Sequence, residues 1–196
     1  ALRLARPDSK NILIVGAGTV GQSLFDSYSA AFPKANFLVW NRTHERALYM
    51  VKNKSNAVAV ENLEAGVKSA DIITCATMSK QPIIKGEWLI PGQHLDLIGA
   101  YRPDMREVDD SALCRSTKFV DSYDTTLDHI GELKIPLKNN VISRADILAD
   151  FYGLGNFIRR SNDEITFFKN GGGAHLDLIV AKYILTAWEK NKYPKS

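Results

Sequence analysis

Cysteine is scarce in this 196-residue chain: only Cys75 and Cys114 occur, and their separation matches no metal-binding spacing. That excludes a disulfide scaffold and a thiolate metal centre. Cys75, inside an apolar run, reads as a reduced cytosolic thiol, buried and inert. Long hydrophobic runs are missing too. No stretch approaches membrane-spanning length and the first residues lack a secretory leader's apolar segment, so a cytoplasmic protein with no membrane partner is expected. Charge of one sign is in small excess. The 25 Lys and Arg against 22 Asp and Glu give +3 with no dense basic stretch, which argues against nucleic acid as a partner. No Ser/His/Asp grouping, metal-ligating cluster or glycosidase-like carboxylate pair stands out, and no repeat or low-complexity linker interrupts the chain. With 45% apolar and 24% charged residues, what remains is an ordinary globular composition able to fill one sizeable core.

The most informative feature present is Gly16-Ala17-Gly18-Thr19-Val20-Gly21. It follows the apolar run 12–15, which reads as a buried parallel strand. It opens a helix expected over 19–32, with Val20, Leu24, Tyr28 and Ala31 on its apolar face. In that context the three glycines are those of a dinucleotide-binding turn. Gly16 permits the turn, Gly18 lets backbone approach a pyrophosphate, and Gly21 lets helix and strand pack closely. The amides and positive dipole end of the helix then favour phosphate. The next strand, 37–40, delivers Asn41-Arg42-Thr43. An NAD-preferring site places an Asp or Glu about 20 residues after the turn; here no carboxylate stands ready to repel a 2′-phosphate. A guanidinium and a hydroxyl suited to hold that phosphate follow. This favours NADP(H), with NAD(H) as the second cofactor. The plainer reading makes Arg42 a solvated loop residue and Thr43 a helix N-cap; Arg46 stands where a capping box needs Glu or Gln.

Strand and helix signals then alternate. Helices are expected over 45–54, 63–69 and 109–115, and strands over 57–60, 71–76, 94–99 and 118–121. The alternation implies an α/β fold: a doubly wound, mostly parallel sheet of the Rossmann type. After Tyr123 the pattern loosens. A loop-rich stretch leads to a helix over 144–151, a strand over 165–168, three glycines (171–173) and a helix over 174–188. That last helix carries an apolar stripe of Leu178, Ala181, Leu185 and Trp188. Residues 1–170 are taken as the nucleotide-binding domain and 171–196 as a returning C-terminal helix.

Ligands of such sheets bind outside the strands' carboxyl ends, so three further loops are candidates. Cys75, Ala76 and Thr77 offer small residues to a nicotinamide ribose, or form a simple strand exit. Gly99 and Ala100 face the nicotinamide ring, or belong to an ordinary turn fixed by Pro103. Gly172 and its glycine neighbours let a ligand approach backbone, or make a strained chain reversal. Among the histidines only His175 is placed to reach a reacting centre, and capping or packing suits it better. No residue is assigned a catalytic role, and no metal is expected.

Several longer segments carry a resemblance. Leu4-Ala5-Arg6-Pro7-Asp8-Ser9, Ala70-Asp71-Ile72-Ile73-Thr74-Cys75-Ala76-Thr77, Gly86-Glu87-Trp88-Leu89-Ile90-Pro91-Gly92, Gly131-Glu132-Leu133 and, most specifically, Ser161-Asn162-Asp163-Glu164-Ile165-Thr166-Phe167-Phe168-Lys169 resemble the ornithine cyclodeaminase/μ-crystallin family. Gly99-Ala100-Tyr101 departs from the cyclodeaminases, which carry a catalytic Asp in this turn, and a phenol cannot replace a carboxylate at neutral pH. The segment from Gly99 to Glu107, with that from Lys169 to Asp177, is more similar to the family's reductases. That resemblance implies reduction of a cyclic ketimine, Δ1-pyrroline-2-carboxylate, to L-proline, and of its six-membered analogue to L-pipecolate; the alternatives within the family are an ornithine cyclodeaminase, an amino-acid dehydrogenase or a non-catalytic NADP-binding protein. It further implies an N-terminal domain, absent from this chain, that supplies Arg and Lys for the substrate carboxylate and builds a homodimer.

Overall fold

The computed structural model describes residues 1–192; the last four positions of the expected 171–196 segment lie outside the described residues. The run Ile12-Leu13-Ile14-Val15 forms β1 (Asn11–Val15) and is fully buried, because the sheet is covered on both faces there. Beside it lie β2 (Asn36–Trp40), β3 (Ala57–Ala59), β4 (Ile72–Cys75), β5 (His94–Leu97), β6 (Thr117–Val120), β7 (Ile147–Ala149) and β8 (Thr166–Lys169). All pair in parallel, in the order β3-β2-β1-β4-β5-β8-β6-β7. The expected mostly parallel α/β sheet is therefore present.

Alternate residues of β1 divide the core. Ile12 and Ile14 face α1 (Thr19–Ala31) and α2 (His44–Val51) through Leu24, Phe25, Tyr28, Ala47 and Met50. Leu13 and Val15 face the layer holding α3 (Leu63–Ser69) and α4 (Asp110–Cys114), through Val67, Ala112 and Leu113. The chain winds outward from β1 to β3, then returns to the other side of β1, so β1 and β4 are neighbours wound in opposite directions. That reversal opens a crevice at their carboxyl ends. Register brings the ends into line: Val15 lies opposite Trp40 and Cys75, Cys75 opposite Leu97, Leu97 opposite Lys169, and Lys169 opposite Val120. Every loop that follows one of these residues emerges on one edge.

Three local expectations are corrected. On α1 the buried face is Gly21, Leu24, Phe25 and Tyr28, while Val20 and Ala31 are exposed. Residues 144–151 are a single 3-10 turn (Arg144–Asp146) closed by a Ser143–Asp146 capping box, followed by the edge strand β7. The loop-rich stretch contains α5 (Tyr123–Thr126) and α6 (Gly131–Lys138), the latter around a buried Pro136. On the last helix, α7 (Ala174–Lys192), the stripe residues Leu178, Ala181, Leu185 and Trp188 are all exposed. Among the described residues no helix is long and apolar enough to cross a membrane.

Candidate functional site

The glycine turn sits at the crevice with its backbone braced from β2. The Gly16 amide donates to the Trp40 carbonyl (2.8 Å), and the Ala17 amide donates to Asn41 Oδ1 (3.0 Å). Asn41 Nδ2 in turn donates to the Thr43 carbonyl (2.9 Å). Asn41 thus ties the two loops together through its own side chain. Gly16 has φ +110°, and a Cβ there would stand 2.8 Å from the Ala76 carbonyl oxygen. At Gly21 a Cβ would overlap the Gly16 carbonyl. At Gly18, the first flanking residue of α1, a Cβ would meet nothing within 4 Å. No protein atom explains that glycine, and the open space beside first-turn amides fits a phosphate.

A cleft of about 620 Å³ opens from this turn, lined by Gly18, Thr19, Gln22, Arg46 and Tyr49 among others. Arg42 and Thr43 are exposed at the exit of β2 but do not line that cleft. Arg46, considered in the sequence only as a failed capping-box partner, does. Thr43 takes the N-cap position of α2 without a side-chain capping bond, which leaves its hydroxyl free of that duty.

Two of the residues expected on the nicotinamide side lie in the core. The Cys75 side chain is fully buried in the core with Leu13 and Val15 neighbours, its Sγ 3.8 Å from Thr77 Oγ1. Burial and the nearby Glu107 carboxylate push its thiol well above the usual range, so it is an inert packing residue. Ala100 is likewise fully buried, against Met105 and Ile130, and is not presented at the sheet edge. Ala76, Thr77 and Gly99 remain partly accessible. Among the three glycines, a Cβ at Gly171 would come 2.6 Å from the Thr126 side chain and one at Gly173 would come 2.7 Å from the His175 ring. Gly172 has φ +66° and open space beside it, and its amide donates to Asp121 Oδ2 (3.0 Å).

What the sequence reading missed is a set of buried charges at the same edge. Glu107, Asp121, Glu132 and Lys169 have no exposed surface. Glu107 accepts from the Thr77 amide (2.7 Å) and hydroxyl (2.9 Å) on Oε1, and from the Gly99 (2.9 Å) and Ala100 (3.1 Å) amides on Oε2. Glu132 accepts from the amides of Glu107 (2.7 Å) and Val108 (3.1 Å). Its pKa is pushed up to about 7 by burial and by the Glu107 charge, with Lys169 and the two amides opposing. Lys169 donates to the Leu97 carbonyl (3.1 Å). A lysine closing the apolar strand Ile165-Thr166-Phe167-Phe168, and a glutamate between Gly131 and Leu133, were the signals available. His94 is buried at the opposite, amino end of β5; burial holds its pKa well below the ordinary value, and Nδ1 lies 3.0 Å from Thr166 Oγ1.

A single parallel sheet, reversed in winding between β1 and β4 with a glycine turn at the reversal, defines the Rossmann class of α/β domain. The model of the ornithine cyclodeaminase/mu-crystallin family matches residues 1–192, and the chain belongs to that family. It is 49% identical over 189 residues to a Delta(1)-pyrroline-2-carboxylate reductase of Paracoccus denitrificans, covering 92% of this chain and 60% of that protein. Among solved structures it superposes on the Delta(1)-pyrroline-2-carboxylate reductase of Thermococcus litoralis in complex with NADH and L-proline. The TM-score is 0.87 at 30% identity, covering 92% of this chain and 58% of that one. An archaeal alanine dehydrogenase dimer with bound NAD gives a TM-score of 0.88 at 27% identity, covering 97% and 61%. The chain thus spans about 60% of the length of the relatives it matches.

Proposed function

We propose that this chain is the cofactor-binding part of an NADPH-dependent reductase that converts Δ1-pyrroline-2-carboxylate to L-proline, and its six-membered analogue to L-pipecolate. The observation that carries the reading is the glycine turn, open at Gly18 and braced by Asn41 at the reversal of the sheet, in a chain 49% identical to a reductase of that name. In this assignment Gly16, Ala17, Gly18, Thr19, Val20 and Gly21 surround the pyrophosphate. Arg42 and Thr43 take the 2′-phosphate from the exit of β2, with Asn41 fixing their loop. Ala76, Thr77, Gly99 and Gly172 flank the nicotinamide end.

When bound, the cofactor supplies a hydride. A protonated cyclic imine is already electrophilic, so the chain's task is to hold ring and imine in register, and orientation can provide much of the acceleration. The absence of a carboxylate at Tyr101, which is exposed, fits reduction better than ornithine cyclodeamination. Residues 1–170 act as the nucleotide-binding domain in this reading, and 171–196 return to an N-terminal domain that supplies cations for the substrate carboxylate and forms a homodimer. The free thiols Cys75 and Cys114 suit a reducing cytoplasm.

The test is to give the protein joined to such an N-terminal domain the cyclic imine with NADPH or NADH, and to follow loss of reduced-nicotinamide absorbance. Oxidation that depends on the imine supports the reading; ammonia release from ornithine without such oxidation overturns it. In the same assay Arg42→Ala should raise the KM for NADPH on the order of tenfold and leave that for NADH within about twofold, the loss of one charge-assisted contact. Equal weakening of both cofactors refutes the phosphate role.

A further inference from the structure

The exits of β4 and β5 meet directly where the Ile98 and Gly99 amides donate to the Cys75 carbonyl (2.9 and 3.1 Å), and beyond that point both loops bind one carboxylate. Glu107 takes the Thr77 amide and hydroxyl on one oxygen and the Gly99 and Ala100 amides on the other. All four bonds lie between 2.7 and 3.1 Å, and the side chain is fully buried. An ionised carboxylate removed from water is costly unless its lone pairs are met, and here four donors meet them. The backbone that carries this carboxylate is anchored in turn, because the Glu107 and Val108 amides donate to Glu132.

We infer that Glu107 is a positioning residue for the nicotinamide end of the cofactor, clamping the Thr77 and Gly99 loops at a fixed separation and fixing the Thr77 hydroxyl as an acceptor. The inference rests on the cofactor reading above. The Thr77 hydroxyl has one hydrogen, and that hydrogen points to Glu107 Oε1. Its oxygen meets the Cys75 thiol at 3.8 Å and keeps a second lone pair to accept, so the matching ligand group is an N–H donor, as on a carboxamide. Thr77 itself is partly accessible, unlike the carboxylate behind it. Gly99 is held close as well: a Cβ there would collide with the Thr77 backbone and with Glu107.

Glu107→Gln tests this, because a carboxamide sets its own N–H groups against amide donors on one of the two loops. Calorimetric titration of this chain with ADP-ribose and with NADH separates the two ends of the cofactor. In the wild type NADH should bind more tightly than ADP-ribose. In Glu107→Gln the ADP-ribose affinity should stay within about twofold, while NADH should lose roughly tenfold, the scale of one hydrogen bond to a charged group. An equal loss for both ligands makes Glu107 a general fold residue and overturns the inference, as does no loss for either. Wild type that binds neither ligand overturns the cofactor reading itself, and the clamp with it. If Glu107→Gln melts below the assay temperature, Thr77→Val removes only the hydroxyl. It should cost NADH and spare ADP-ribose, with Thr77→Ser restoring NADH binding; failure of Thr77→Ser to restore it overturns the inference.

Discussion

Gly18 and Gly21 lie three residues apart in one turn, yet a methyl group added at each meets opposite surroundings. At Gly21 it overlaps the Gly16 carbonyl, so Gly21→Ala should cost about 3 kcal/mol, the upper end of overpacking penalties, read as a fall in melting temperature. At Gly18 it meets open space, so Gly18→Ala should leave the melting temperature nearly unchanged and weaken dinucleotide binding instead, measured by calorimetry. The sequence assigned both glycines their parts because the turn is a local device. Ala100 was harder to read, because nothing local marks a residue after a strand end as buried. For Cys75 the apolar run already pointed to a buried, inert thiol, and its place in the core with Leu13, Val15 and Ile73 bears that out. The Glu107 clamp was illegible for another reason. It joins Thr77 to a carboxylate 30 residues on, and that segment to Glu132 another 25 on, so no local spacing marks it.

At the scale of elements, the regular part of the chain was readable and the irregular part was not. The strands and helices up to β6 have long apolar runs or clear caps, such as Asn62 on α3 and Asp109 on α4, each accepting from a first-turn amide. Residues 144–151 offered Ile147, Leu148 and Phe151 at spacings that fit a helix or a short strand. Pairing of Ile147 with Lys118 and of Ala149 with Phe119 settled the matter through β6, which no local pattern reveals. Pro136 suggested a loop, but Leu133 and Pro136 are buried and hold α6 in place. The apolar stripe of α7 was visible, and the described residues leave it exposed. Leu185→Glu should change the melting temperature of this chain by less than about 0.5 kcal/mol equivalent, since the side chain is more than half exposed. In protein joined to the proposed N-terminal domain the same change should lower the dimer fraction by light scattering; an unaltered dimer removes α7 from that interface.

For the whole molecule, alternation was enough to imply a parallel sheet, because parallel strands need crossovers and the chain supplies a helix for most of them. Strand order past β5 was beyond local reading. The strand made last, β8, enters between β5 and β6 and hydrogen-bonds to both. That insertion has a consequence for how the protein comes into being. As the chain leaves the ribosome, β5 and β6 are complete some 46 residues before β8 begins at Thr166 (residue 166 less 120, the end of β6), and each waits with an open edge. The sheet closes only when the final strand slides home, which also sets Lys169 against the Leu97 carbonyl and delivers the glycines to Asp121. Folding is thereby made to depend on late, long-range pairing, the slow kind. A ribosome that stalls before residue 169 releases two unpaired edges rather than a smaller working domain.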